Sequence, residues 1–123
     1  MIDEEFIEEW IKQKASRETD PRSDLHWTEK YVVDLICDES RHQELWKFIT
    51  ETISGDLPES VCVYLACGPV ESILSKHGEI YIDEIERIAS VHQGFRDLLG
   101  GVWRSKMSQD IWDRVCAVRG EVR

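Results

Sequence analysis

Residues Leu65–Gly78 read LACGPVESILSKHG, and the run poses one question: does it mark an active site, or a chain turning between helices? Gly68 suits the left-handed residue just past a helix end, and Pro69 would enter the next helix with its φ already set. Val70, Ile73, Leu74 and His77 then share one face at helical spacing, and Gly78 is placed to end that helix as Gly68 ended the one before. A nucleophilic Cys67 would need a nearby base and a lowered pKa, and the one local candidate, His77, stands ten residues and a corner away. The string therefore predicts a corner.

On its N-terminal side, Asp56-Leu57-Pro58-Glu59 has the form of a helix start, with Pro58 in the first turn. Val-Cys-Val-Tyr at 61–64 has β propensity, so a strand over Ser60–Ala66 is the rival reading. The proline start favours helix, and no second strand-like run offers a partner. Further upstream, Phe6, Ile7, Trp10 and Ile11 form an apolar stripe behind a capping Asp3. Trp27, Tyr31, Leu35 and Ile36 form a second, with Pro21, Ser23 and Asp24 as start signals and Ser16–Asp24 as a loop. Leu45, Trp46, Ile49 and Ile53 form a third, opened by Asp38 or Ser40 and closed by Gly55.

Downstream, Ile82, Ile85, Ile88, Ala89 and His92 mark another helix, and Phe95, Leu98, Leu99 and Val102 a shorter one that Gly100-Gly101 interrupts or ends. Ser108 caps the last, which carries Ile111, Trp112, Val115 and Val118 and ends at Gly120. The expected architecture is all-α: residues 1–123 as one domain, a compact antiparallel helical bundle or small helical stack of about seven short helices.

At 123 residues, 41% apolar and 33% charged, the chain is long enough for a core and is neither disordered nor fibrous. No apolar run reaches the ~20 residues that cross a bilayer, and the first ten residues, MIDEEFIEEW, are acidic where a secretory signal would be basic. A cytoplasmic location is the expectation. Cys37, Cys62, Cys67 and Cys116 form no Cys-x-x-Cys pair and sit beside aliphatic residues, so they read as buried, reduced structural thiols. His26, His42, His77 and His92 lack metal-ligand spacing, and no phosphate-binding glycine loop is present, so neither a metal nor a cofactor is expected. Trp10, Trp27, Trp46 and Trp112 each fall on an apolar stripe and read as core; Trp103 reads as a plug between helices, with a contact surface as its alternative.

Charge is the strongest functional signal. The formal net charge is −10, and residues 1–60 carry 16 acidic against 7 basic side chains. From Arg87 to Arg123 the balance is locally positive, 7 basic against 4 acidic. An acidic first half repels phosphate backbones, which argues against nucleic acid as partner. Glu4 with Glu8, and Glu5 with Glu9, are like-charge pairs one helical turn apart, each costing an isolated helix a few tenths of a kcal/mol. Such a face is either a solvated surface or one selected to meet a basic protein.

Several motifs together resemble a known family. They are Ala66-x-Gly68-Pro69-x-Glu71-x-x-Leu74-x-x-His77-Gly78, Ile82-Asp83-x-Ile85-Glu86, Phe95-Arg96 leading to Leu99-Gly100-Gly101-Val102-Trp103, and Trp112-x-Arg114-Val115. Together they resemble the uncharacterised bacterial helical family DUF 6869. The resemblance implies an all-helical fold and a bacterial origin, and it implies no activity.

Small size, one domain, no catalytic constellation and an acidic half lead to the expectation of a protein-binding module. Its specific form is an immunity protein that neutralises a cognate, basic, nuclease-type toxin domain. The expected contact residues are Glu5, Glu8, Glu9, Asp34, Asp38 and Glu39. A helical scaffold or regulatory adaptor without a toxin partner is the alternative, and a small enzyme using Glu71, His77 and Arg96 is a third reading.

Overall fold

The computed structural model describes residues 2–15 and 26–119, and every regular element among them is helical. Helix α1, Glu4–Ala15, begins where Asp3 Oδ1 accepts the Phe6 N–H at 2.8 Å, the cap expected there. Helix α2, Trp27–Cys37, is capped by His26, whose Nδ1 accepts the Thr28 N–H at 3.3 Å. The start signals Pro21, Ser23 and Asp24, the loop over 16–24 and the terminal Gly120 lie outside the described residues. A single 3-10 turn, Glu39–Arg41, is opened by the Asp38 carboxylate and leads into α3, His42–Thr52. Helix α4, Glu59–Leu65, follows Pro58, and the rival strand is absent.

Gly68-Pro69 is not a corner. Helix α4 runs through a π-helical turn, Ala66–Val70, directly into α5, Glu71–Val91. No glycine among the described residues has positive φ, so the left-handed cap expected at Gly68 does not form. The reason is a different accommodation of the same proline. Pro69 has no N–H to donate, and its ring would collide with the carbonyl four residues back. Widening the turn by one residue relieves both problems, and the Glu71 N–H reaches back five residues to the Ala66 carbonyl. The residue before a proline is pushed out of helical φ/ψ by clashes of its N–H and its Cβ with the proline ring, and Gly68 lacks the second of these.

Gly78 does not end a helix either. The rod kinks at His77 (φ −137°, ψ 26°) and continues to Val91, so three helices expected from the sequence are one rod, Glu59–Val91. What Gly78 permits is a close crossing. A Cβ there would stand 3.0 Å from Ile111 Cγ2 and 3.1 Å from Cγ1.

Two more helices close the fold. Helix α6, Gln93–Leu99, is capped by His92, whose Nδ1 accepts the Phe95 N–H at 3.0 Å while Nε2 donates to the Ile53 carbonyl at 2.8 Å. That second bond ties the end of the rod to the end of α3. Helix α7, Gln109–Val118, is capped by Ser108 Oγ, 3.2 Å from the Ile111 N–H, and lies along α5. Arg114 fastens it there through Glu86 (3.1 Å) and Asp83 (2.5 Å).

One contiguous cluster of buried side chains runs through the stack, from Phe6, Trp10 and Phe48 to Leu65, Ile73, Ile85, Phe95, Leu99 and Val115. Phe48 meets Trp10 edge-on at 5.0 Å and Phe6 at 6.0 Å, the arrangement that aromatic quadrupoles favour. Helix α1 packs across α2, α3 and α4, so its acidic side has nowhere to turn but outward.

Three expectations about single residues need correction. Trp27 is 61% exposed, because at the first position of α2 it reaches the edge of Phe6 and the ring of its neighbour His26 rather than the core. Trp103 is 72% exposed and plugs nothing. The chain leaves helical geometry after α6, so neighbouring side chains diverge, and Val102 takes the buried place. None of the four cysteines is fully buried: Cys37 and Cys67 are exposed, Cys62 and Cys116 half-buried.

Candidate functional site

The acidic residues singled out from the sequence occupy two separate places. Glu5, Glu8 and Glu9 line a shallow groove of about 650 Å³ on the outer face of α1, with Asp3, Phe6, Lys12 and Trp27. Its apolar part is Phe6, fully buried against the core, and Trp27, packed edge-on to Phe6 at 5.5 Å and 73°. Its rim is acidic. Glu5 and Glu8 are exposed and make no ion pair with any described residue, and Lys12 in the same groove pairs with none of these acids. Glu9 is engaged: it accepts from Gln13 Nε2 at 3.2 Å and stands 3.4 Å from His26 Nε2. Asp3 is committed to its cap.

Asp34, Asp38 and Glu39 lie toward the other end of α2, about 10 Å (Asp34) to about 16 Å (Asp38) along the helix from Trp27 at about 1.5 Å per residue. The three are exposed, but Asp38 has a structural task. It accepts from the Ser40 N–H at 3.1 Å and the Ser40 hydroxyl at 2.6 Å, and these bonds hold its carboxyl below the usual carboxylate range. The structure thus gathers Glu5, Glu8 and Glu9 with Trp27 and leaves the other three apart. Nothing in the pattern of the sequence marked Trp27 for this groove, because its place on the apolar stripe argued for burial.

Between the two acidic ends, Tyr31, Arg41 and Glu44 form a closed network. Glu44 accepts from the Tyr31 hydroxyl and from Arg41 Nε at 3.1 Å, and Arg41 also donates to the Tyr31 oxygen at 2.9 Å. The hydrogen bond from Tyr31 holds the Glu44 carboxyl low, and the same bond pushes the Tyr31 phenol up.

The positive balance expected toward the C-terminus is not an open basic surface. Arg87 pairs with Glu84, Arg96 donates to the Ala89 carbonyl at 3.2 Å, and Arg104 donates to Gln109 Oε1 at 2.9 Å. Arg114 holds Asp83 and Glu86, and Arg119 lies over the Trp112 ring at 5.2 Å. Lys106 is exposed and makes no ion pair with a described residue, and the same holds for Glu5 and Glu8 in the first half.

Glu71, His77 and Arg96 are not brought together. Arg96 is spent on the Ala89 carbonyl, about 18 Å along the rod from His77. Glu71 lines a groove of about 330 Å³ with Ile36, Cys67, Lys76 and Lys106, while His77 turns toward α3. There it stacks on His42, ring centres 4.3 Å apart and planes 31° from parallel. His42 Nδ1 in turn meets the Tyr81 hydroxyl at 2.6 Å, and Trp46 lies against the Tyr81 ring at 5.0 Å. Burial pushes His77 below the usual imidazole range, with His42 and Lys76 adding to the effect and Glu39 opposing it. Burial also pushes the Tyr81 phenol up. No cluster of three or more metal-ligating side chains exists among the described residues. No described helix is long and apolar enough to cross a membrane.

A model for a family of unknown function, DUF6869, matches residues 14–122. The chain belongs to that family. No curated protein and no solved structure matches it. Within this DUF6869 chain, helix α1 precedes the matched region except for Lys14 and Ala15, whereas the π turn, the kinked rod and α7 all lie inside it. The groove therefore joins a wall outside the match, α1, to a tryptophan inside it.

Proposed function

We propose that this chain is a protein-binding module, an immunity protein that neutralises a basic, nuclease-type bacterial toxin domain. The observation that carries the reading is the α1 groove, where the carboxylates of Glu5 and Glu8, which make no ion pair with any described residue, border the exposed indole of Trp27. Interface anchors are enriched in tryptophan, and a rim of one sign speeds association with a partner of the other. A lysine or arginine from a basic partner would meet carboxylates and an aromatic face in one place. Asp34 and Glu39 would extend the field without joining the groove, and Asp38 would serve the fold rather than the contact. A cytoplasmic, bacterial setting goes with the same reading.

The test is co-expression with the toxin encoded beside the gene, whose C-terminal domain is expected to be basic. Wild-type chain should rescue growth and co-purify. The double variant Glu5→Lys/Glu8→Lys should bind more than tenfold more weakly, chiefly through slower association, and 0.5 M salt should reproduce part of the loss. Trp27→Ala should instead speed dissociation. Unchanged affinity in both variants, with folding intact, would remove the groove from the interface. Failure of the wild type to rescue or co-purify would remove the immunity reading itself.

A further inference from the structure

Within α5 the backbone departs from helical φ/ψ at His77, whose imidazole lies on another imidazole. Ring stacking and backbone kink thus coincide at one residue. We propose that the stacked His42–His77 pair is a proton-operated clamp, which holds α3 against the kinked rod while at most one ring is charged and releases it when both are. Two neutral rings, or one neutral and one charged, stack favourably, whereas two cations at this separation repel.

The surroundings do little to relieve that repulsion. From the 3-10 turn Glu39 faces the pair and opposes the downward shift of His77. From the rod itself come Lys76, Glu79 and Tyr81, and from the segment before α7 comes Lys106, which lines the same groove as His77. Lys76 is a second positive charge, held in place by donating to the Ile36 carbonyl at 2.9 Å. Tyr81 engages His42 Nδ1 and so fixes that ring against rotation. Stacked rings aim their lone pairs along near-parallel planes rather than at a common point, which argues against a metal as the purpose of the pair.

The sign follows from the direction of the His77 shift. A histidine held below its ordinary value lends stability that is fully present above about pH 6.5 and is lost as pH falls through the folded value. Release would let His77 regain helical geometry, which straightens the rod just before Gly78, where α7 crosses.

The clamp is testable by NMR on the full chain between about pH 8 and pH 4.5. Cross-relaxation between the His42 and His77 ring protons should be present at about pH 7.5 and gone by about pH 5 with the helical circular dichroism unchanged. The His77 ring should titrate below the ordinary imidazole range, and His42→Gln should move that midpoint upward. Ring contact that persists at about pH 5 would overturn the proposal. So would contact that fades only together with the helical signal, because that is global unfolding. An unmoved His77 midpoint in His42→Gln would do the same, and if that variant does not fold, the wild-type titration decides alone.

Discussion

Replacing Gly78 by alanine tests the reinterpretation of the family-like motif most directly. If Gly78 were a helix terminator, alanine would act through the loss of a turn. In the structure it is helical and lies under Ile111, which is 5% exposed. The new Cβ would stand 3.0, 3.1 and 3.3 Å from Ile111 Cγ2, Cγ1 and Cδ1, so rotating one methyl clears only part of the overlap. Overpacking of this kind costs about 1–3 kcal/mol, and the better helix propensity of alanine returns about 1 kcal/mol. The net expectation is about 1 kcal/mol of destabilisation, a fall in Tm of about 3–5 °C for a chain of this size. Ile111→Ala removes all three crowding atoms and by itself costs about 2–5 kcal/mol for the cavity. In that background Gly78→Ala meets open space and keeps its propensity gain, so it should stabilise by about 1 kcal/mol. The four proteins form a double-mutant cycle, read by urea denaturation, with a coupling of about 2 kcal/mol. A stabilising Gly78→Ala in the wild-type background, or a coupling under about 0.5 kcal/mol, would refute the close crossing as the reason for glycine.

Two further outcomes concern the polar ties, beside the groove variants and the proton-operated clamp described above. His92→Ala should cost about 2 kcal/mol in denaturant titration, roughly half from the lost cap on α6 and half from the lost bond to Ile53; His92→Asn, which keeps a capping side chain, should restore about half. Glu44 is held low by the Tyr31 hydroxyl, so its contribution is fully present above the ordinary carboxylate range and disappears as pH falls through its lowered value. Glu44→Gln should therefore lower Tm at neutral pH and converge on the wild type as pH falls through the lowered value of Glu44; a constant gap would show that the carboxylate charge is not what the network uses.

Much of this fold was legible in local chemistry. Asp3 and Ser108 begin their helices as their residue types predict, and the stripe Phe6, Ile7 and Trp10 is buried as its spacing predicts. The motifs from Ala66 to Val115 also indicated the family that residues 14–122 match. These features depend on neighbours three or four residues away, and a sequence displays such neighbours directly. The candidate site was half legible. Acidic residues on a predicted helix announce a charged face, but which of them share a groove depends on where the helices cross.

The rest was decided by contacts between distant segments. A Gly-Pro step is compatible with a left-handed cap before a new helix and with a widened turn inside one; the rod here is continuous through a π turn, packed against α2 and α3. Gly78 takes its meaning from Ile111, thirty-three positions later, and His77 from His42, thirty-five positions earlier. Trp27 and Trp103 stand at the surface where the sequence predicts burial, because burial depends on what lies opposite a side chain, not on its hydrophobicity alone. Local sequence set where helices start and which face turns inward. Tertiary packing set where the chain fails to turn, which glycine sits at a close crossing and which acids share a groove, because each of these depends on atoms that only folding brings within a few ångströms.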